Sequence, residues 1–185
     1  LVADLNDLCL QFGMTNEQIR AYYKEHGVAN RFDNADTIFI KRMLQHVLPE
    51  QIRNEITSNL FEKIVGISEA KFSSRLYMSI DEVRKLVSSG MYVGSHGSMH
   101  YWLDRISSRK QKVDISSSVE FLEEVGAPTS NWIMCYPYGA YNDTTLSLLK
   151  EMGASIGVTT DFRKANLEID DPLTLPRLDT NDFPQ

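Results

Sequence analysis

An α/β fold with a parallel sheet, preceded by an all-helical segment, is the architecture that this chain predicts. Three observations carry it. Up to about residue 75 the apolar residues recur only at helical spacing. From about residue 76 short apolar runs alternate with amphipathic stretches, the rhythm of strand and crossover helix. Glycine closes most of the periodic segments, at Gly13, Gly27, Gly90, Gly126 and Gly153.

The helical part, residues 1–75, reads as follows. Leu1, Leu5, Leu8, Cys9 and Phe12 already follow helical spacing with no cap before them. The chain is therefore expected to be a piece of a longer protein, with a helical insertion at its start. Thr15-Asn16-Glu17-Gln18 is a capping box that opens a second helix, since the Thr oxygen and the Gln side chain can satisfy reciprocal backbone donors. A third helix is expected over Asp36 to Val47, with Ile40, Met43, Leu44 and Val47 on one face. Pro49 suits the first turn of a fourth, which carries Ile52, Ile56 and Leu60. His26 and His46 fall in these helices and read as ordinary surface or partly buried residues.

In the second part, residues 76–185, Ser79-Ile80-Asp81-Glu82 is another capping box, for a helix that Gly90 ends. Met91–Gly94 reads as a strand. A helix over Val113 to Val125 sets Ile115, Val119 and Leu122 in register, and Gly126 stops it. Asn131 to Tyr136 is the next strand. Asn142 caps a helix over Asp143 to Met152, and Ser155 to Thr159 is a third strand. A fourth is expected over Leu173 to Leu178. Alternation of this kind implies a parallel sheet with right-handed crossovers, whose sites gather at the carboxyl ends of the strands.

The balance of residues excludes several functions. Hydrophobic residues make up 42% and charged residues 24%, the profile of a globular protein. A net charge of −6 leaves no basic stripe for nucleic acid. No apolar run approaches the roughly 20 residues of a membrane span. The two cysteines, Cys9 and Cys135, lie far apart without a C-x-x-C, and reduced thiols are the simpler reading.

Two of the four histidines stand together in Gly94-Ser95-His96-Gly97-Ser98-Met99-His100, directly after a strand. If the turn opens a helix, residues i and i+4 share a face, and both imidazoles can reach one divalent ion. A lone H-x-x-x-H also arises by chance, and Tyr136-Pro137-Tyr138-Gly139 is by itself an ordinary turn. Each motif follows a strand, so both fall at the same end of the expected sheet.

Taken together, Gly94 to His100, then Cys135-Tyr136-Pro137-Tyr138-Gly139, then Leu175-Pro176-Arg177 resemble the polysaccharide deacetylases of the NodB type, over about residues 76–180. The resemblance implies an irregular (β/α) barrel, incomplete here because the first strand or strands are missing. It implies removal of N- or O-acetyl groups from a sugar or polysaccharide, with a divalent metal, zinc by its ligands, held by one Asp and two His. His96 and His100 match the two metal-binding imidazoles. Tyr138 matches the residue whose backbone N–H faces the developing oxyanion, and Pro137 and Gly139 match the residues that shape that substrate loop. Arg177 is the candidate for orienting a carboxylate, in place of the Arg that many members carry where this chain has Cys135; a structural salt bridge is the equal alternative for it.

Departures from the family pattern sharpen the expectations. The T-F-D-D-G motif, which supplies the third metal ligand and the base, is absent; Asp170-Asp171-Pro172 reads as a loop. Gly97 takes the Ser/Thr position of H-[S/T]-x-x-H, and no His follows His100 to act as an acid. The chain alone is thus expected to bind metal weakly and to be inactive, while its parent is an enzyme. A homo-oligomer through the exposed barrel edge is expected as well. The alternative function is a non-catalytic carbohydrate-binding or assembly domain on the same scaffold. A zinc protease fits poorly, because Gly97 follows His96 and H-E-x-x-H fails.

Overall fold

The structure, a computed structural model, describes residues 1–183. The chain divides into two compact units, Leu1–Tyr77 and Met78–Gln185.

The regular elements of the first unit are all helices: α1 (Val2–Gln11), α2 (Asn16–His26), α3 (Ala35–Arg42), α4 (Glu50–Val65) and α5 (Glu69–Leu76). The Thr15–Gln18 capping box forms with both of its hydrogen bonds. The third helix does not run unbroken to Val47. After Arg42 it widens into one π turn over Met43–Val47, closed by the Leu48 N–H donating to Met43 O at 3.2 Å. Pro49 lies just before α4 rather than inside it. Leu5, Cys9, Phe39, Met43 and Ile56 are buried together and form the core of this unit.

The second unit holds the sheet. Its elements are α6 (Ile80–Ser88), α7 (Ser108–Glu124), β1 (Trp132–Cys135), α8 (Asp143–Glu151) and β2 (Ala154–Val158). β1 and β2 pair in parallel, joined through α8. Ser95 bridges to Met134 on one side of this pair, and Leu175 bridges to Val158 on the other, both in parallel. Among the described residues the sheet is therefore two strands wide with one bridged residue on each flank, and most of the described residues are helical or loop. Trp132, Met134, Tyr136, Ile115, Leu122 and Leu149 pack between the sheet and its helices.

Two expected strands thus do not form: Met91–Gly94 makes no ladder and only the following Ser95 bridges, and Leu173–Leu178 is reduced to the bridge at Leu175. Over Met91–Gly94 the physical reason is Tyr92, whose hydroxyl accepts the Ile133 N–H at 2.8 Å and so uses a donor at the start of the ladder. Over Leu173–Leu178 a short 3-10 turn at Pro172–Thr174 leaves only Leu175 in register. The long helix also starts earlier than its apolar spacing suggests. Ser107 caps it by accepting the Lys110 N–H, which adds a polar first turn ahead of Val113.

Candidate active site

Two loops leave the same end of this small sheet. The first begins at Ser95, whose N–H donates to Ile133 O and whose carbonyl accepts the Cys135 N–H, each at 2.9 Å. A helix here would need Met99 N–H on that same Ser95 carbonyl. Instead Met99 N–H donates to Asp114 Oδ1 at 2.7 Å. No helix forms over residues 95–100, so the expected i, i+4 route to the histidine pair is corrected. The loop turns through left-handed backbone at Gly97 (φ 72°) and His100 (φ 56°), which carries the second ring back to the first.

The two rings meet. His100 Nε2 and His96 Nε2 are 3.0 Å apart, and the ring centroids are separated by 4.7 Å at 72°. His96 Nδ1 lies 2.6 Å from Cys135 O, and a carbonyl can only accept. The proton of neutral His96 is therefore on Nδ1, its Nε2 is bare, and His100 Nε2–H donates to it. Cys135, through its nearby thiol first and its carbonyl as well, lifts His96 above the usual imidazole range against the opposing effect of burial. Burial, and then the nearby His96, hold His100 below it. His96 in turn lowers the Cys135 thiol against the opposing effect of burial, and Arg177 lowers it further.

The second loop is the turn Pro137–Gly139, directly after β1. Tyr138 sits in the left-handed region at φ 59°, ψ 8°, unusual for a side chain with a Cβ. Its ring is clamped from two directions. Trp102 stacks on it at 4.8 Å and 17°, and His100 meets it edge-on at 4.7 Å and 77°. Gly139 follows at φ 71°, where a Cβ would run into the Thr160 side chain. The histidine pair and the Tyr138 loop are thus in direct contact.

Arg177 reaches the same place but not a carboxylate: its Nη1 donates to Cys135 Sγ at 3.1 Å. Among the described residues its recorded partner is therefore a thiol. Both cysteines are free thiols. Three contributors escape sequence reasoning: Trp102, Asp114 and the Cys135 thiol itself. Asp114 had a readable signal, since Gln111, Asp114, Ser118 and Leu122 follow the buried face of α7 as closely as Ile115 does. Trp102 had none, because loop aromatics carry no period.

The donor set can be tested against a divalent cation. Two nitrogens bound to one tetrahedral zinc lie about 3.3 Å apart. The 3.0 Å between the Nε2 atoms is close to that, and the Cys135 carbonyl on Nδ1 is the outer partner that orients a ligating imidazole. The pair fits as two of the ligands. Among the described residues no group of three or more His, Cys, Asp or Glu side chains is placed to hold a metal ion.

Comparison with known proteins places this geometry. The family model described as polysaccharide deacetylase matches residues 67–157. Residues 67–157, most of them in the second unit, are thus similar to a polysaccharide deacetylase domain of the NodB type. The matched stretch includes both histidines and the Pro137–Gly139 turn, and stops short of Arg177. A curated Bacillus subtilis (strain 168) protein, "Putative polysaccharide deacetylase YxkH", is 24% identical over 85 residues, covering 46% of this chain and 30% of that protein. The solved structure of the Streptococcus pyogenes deacetylase PplD, in complex with acetate, is similar at a TM-score of 0.50 and 26% identity, covering 55% of this chain and 44% of that one. The chain spans less than half the length of either relative.

Proposed function

We propose that this chain supplies the imidazole pair and the oxyanion-facing loop of a metal-dependent carbohydrate deacetylase, acting on N- or O-acetyl groups of a sugar or polysaccharide. The observation that carries the reading is the meeting of His96, His100 and Tyr138 at the end of β1, on a segment of deacetylase sequence. In this reading the small sheet is part of a (β/α) barrel. His96 and His100 hold a divalent cation, zinc by ligand type, through their Nε2 atoms. A cation there supplies Lewis-acid polarisation of the acyl oxygen and a more acidic water.

The chain's own residues do the rest. The Cys135 carbonyl keeps the His96 proton on Nδ1 and its Nε2 toward the site. The left-handed turn at Tyr138 orients its backbone N–H for the developing oxyanion, a donor fixed before reaction and therefore effective. Pro137 and Gly139 shape that loop for the substrate. Arg177 holds the Cys135 side of the site through the thiol. An acetamide also needs a base and an acid, and the sequence has no Asp-Asp-Gly and no histidine after His100 to provide them. Residues 1–185 alone therefore bind zinc weakly and release no acetate, whereas a longer chain with an upstream Asp pair is active.

Zinc titration followed by calorimetry tests the cation site: the chain should bind, and the His96→Ala/His100→Ala variant should not. Equal binding by both removes the pair from the reading. Binding should weaken as pH falls, because an imidazole ligand must give up its Nε2 proton. Acetate release from an N-acetylated glucosamine oligomer tests the reaction. Release by the isolated chain that survives a chelator overturns the mechanism. The Cys in place of the family's Arg supports a second reading, a carbohydrate-binding domain on the same scaffold. A longer chain that binds the oligomer and never releases acetate with any divalent metal decides for it.

A further inference from the structure

Directly beneath the histidine loop lies a carboxylate that the proposed function leaves unused. Asp114, on α7, is 3% exposed. Its Oδ1 accepts the Met99 N–H at 2.7 Å, between the two histidines in sequence. Its Oδ2 is buried and has no hydrogen-bond partner among the described residues. That oxygen faces the loop from below: a Cβ placed on Gly97 would lie 2.6 Å from it. Around it the layer is polar but neutral. Ser95 and Ser118 share a hydrogen bond at 2.7 Å, and the Gly97 N–H donates to Ser95 Oγ at 3.3 Å. No Lys or Arg forms an ion pair with Asp114 among the described residues.

A carboxylate out of water with one oxygen unanswered is costly, and such groups are normally paired or near a metal. A single backbone N–H needs an acceptor but not a full negative charge, so holding the loop does not by itself account for an acid here. An amide or a hydroxyl could do that work. Among the described residues the chemistry nearest that oxygen is the imidazole pair on the same loop, since His100 directly follows Met99, whose N–H Asp114 holds. Gly97 follows from the same arrangement, since its left-handed backbone and missing Cβ let the loop lie against Oδ2.

We infer that Asp114 is a positioning residue and the buried counter-charge of the His96–His100 centre, raising the affinity of two neutral ligands for a divalent cation. The inference rests on the reading of that pair as a cation site. Its physical basis is that a fixed anion in a water-poor layer acts on a nearby dication with little screening. It also accounts for how a site with only two protein ligands on this chain would hold an ion at all.

Zinc titration of the full chain decides it, with three variants alongside: Asp114→Asn, Asp114→Ser and His96→Ala/His100→Ala. Asn keeps an acceptor for the Met99 N–H and removes the charge. Its tryptophan-fluorescence unfolding midpoint should match or exceed that of the unaltered chain, while zinc affinity falls about ten-fold or more. Should Asn disturb packing, Ser, also uncharged and smaller, carries the same test. Affinities of a folded Asn or Ser variant within two-fold of the unaltered chain overturn the inference and leave the histidine reading standing. An unaltered chain that binds no better than the double histidine variant overturns both.

Discussion

Gly157→Ala should be among the most damaging single-methyl changes in the second unit. Gly157 lies in β2, opposite Met134 of β1. The segment after the 3-10 turn runs along its other side, with Leu175 N–H donating to Gly157 O at 2.8 Å and Thr159 N–H to Leu175 O at 2.9 Å. Tyr136 Oη crosses beneath and donates to Leu173 O at 2.6 Å. A Cβ on Gly157 would stand 2.5 Å from that hydroxyl, 2.8 Å from the Leu173 carbonyl carbon, and closer still to its oxygen. The obstacle is mostly backbone and cannot rotate away. Either the 173–175 segment lifts or the strand shifts. Losing the Tyr136–Leu173 bond with both groups still buried costs about 1–3 kcal/mol. Partly exposing Leu173, now 4% exposed, adds a share of the ~1.5–3 kcal/mol that its burial is worth. The expected loss is about 3–5 kcal/mol. Both tryptophans of the chain, Trp102 and Trp132, lie in this unit, so their fluorescence in a urea titration follows its unfolding. Tyr136→Phe, which deletes one hydroxyl, should cost about 1–3 kcal/mol. In the double variant the losses should not add, because Phe removes one of the clashing atoms. A Gly157→Ala protein within about 1 kcal/mol of the unaltered chain would refute the close packing of the 173–175 segment on β2.

Two further outcomes follow from the charged groups. His96 and Arg177 lower the Cys135 thiol, while burial raises Cys9, so iodoacetamide at neutral pH in the presence of a chelator should modify Cys135 first and reach Cys9 only in denaturant. Arg177→Leu should slow the Cys135 reaction; equal labelling of both thiols, read by mass spectrometry, would contradict the placement. Asp170 is held by Arg163 through bonds of 2.7 and 2.9 Å and accepts the Asn166 N–H at 2.7 Å, which brings its pKa down to about 2. Its folded pKa lies below the unfolded value of about 3.9, so its contribution to stability is present above pH ~4 and is lost as the pH falls through 2. Carboxyl NMR should place the midpoint near 2 and move it upward in Arg163→Leu; an unmoved midpoint would remove Arg163 as the cause.

The sequence by itself determined those features that depend on neighbours along the chain. The capping boxes at Thr15 and Ser79 form as read, because an N-cap and its third residue satisfy one another within a single turn. The Asn142 cap and the β1–α8–β2 alternation stand for the same reason, and so does the likeness to deacetylases, which a local pattern of His, Pro, Tyr and Gly carries. Tertiary structure alone decided how the site is assembled. Helical spacing brings His96 and His100 together on paper, yet the rings meet through a loop, because the Ser95 carbonyl is taken by Cys135 and the Met99 N–H by Asp114. Each of those partners lies 15 or more residues away along the chain, where no period reaches. The same holds for Tyr92 ending the sheet early, for Arg177 settling on a thiol and for Trp102 stacking on Tyr138. A backbone donor goes to whichever acceptor the packed chain brings within about 3 Å, and that choice is made only when distant segments meet.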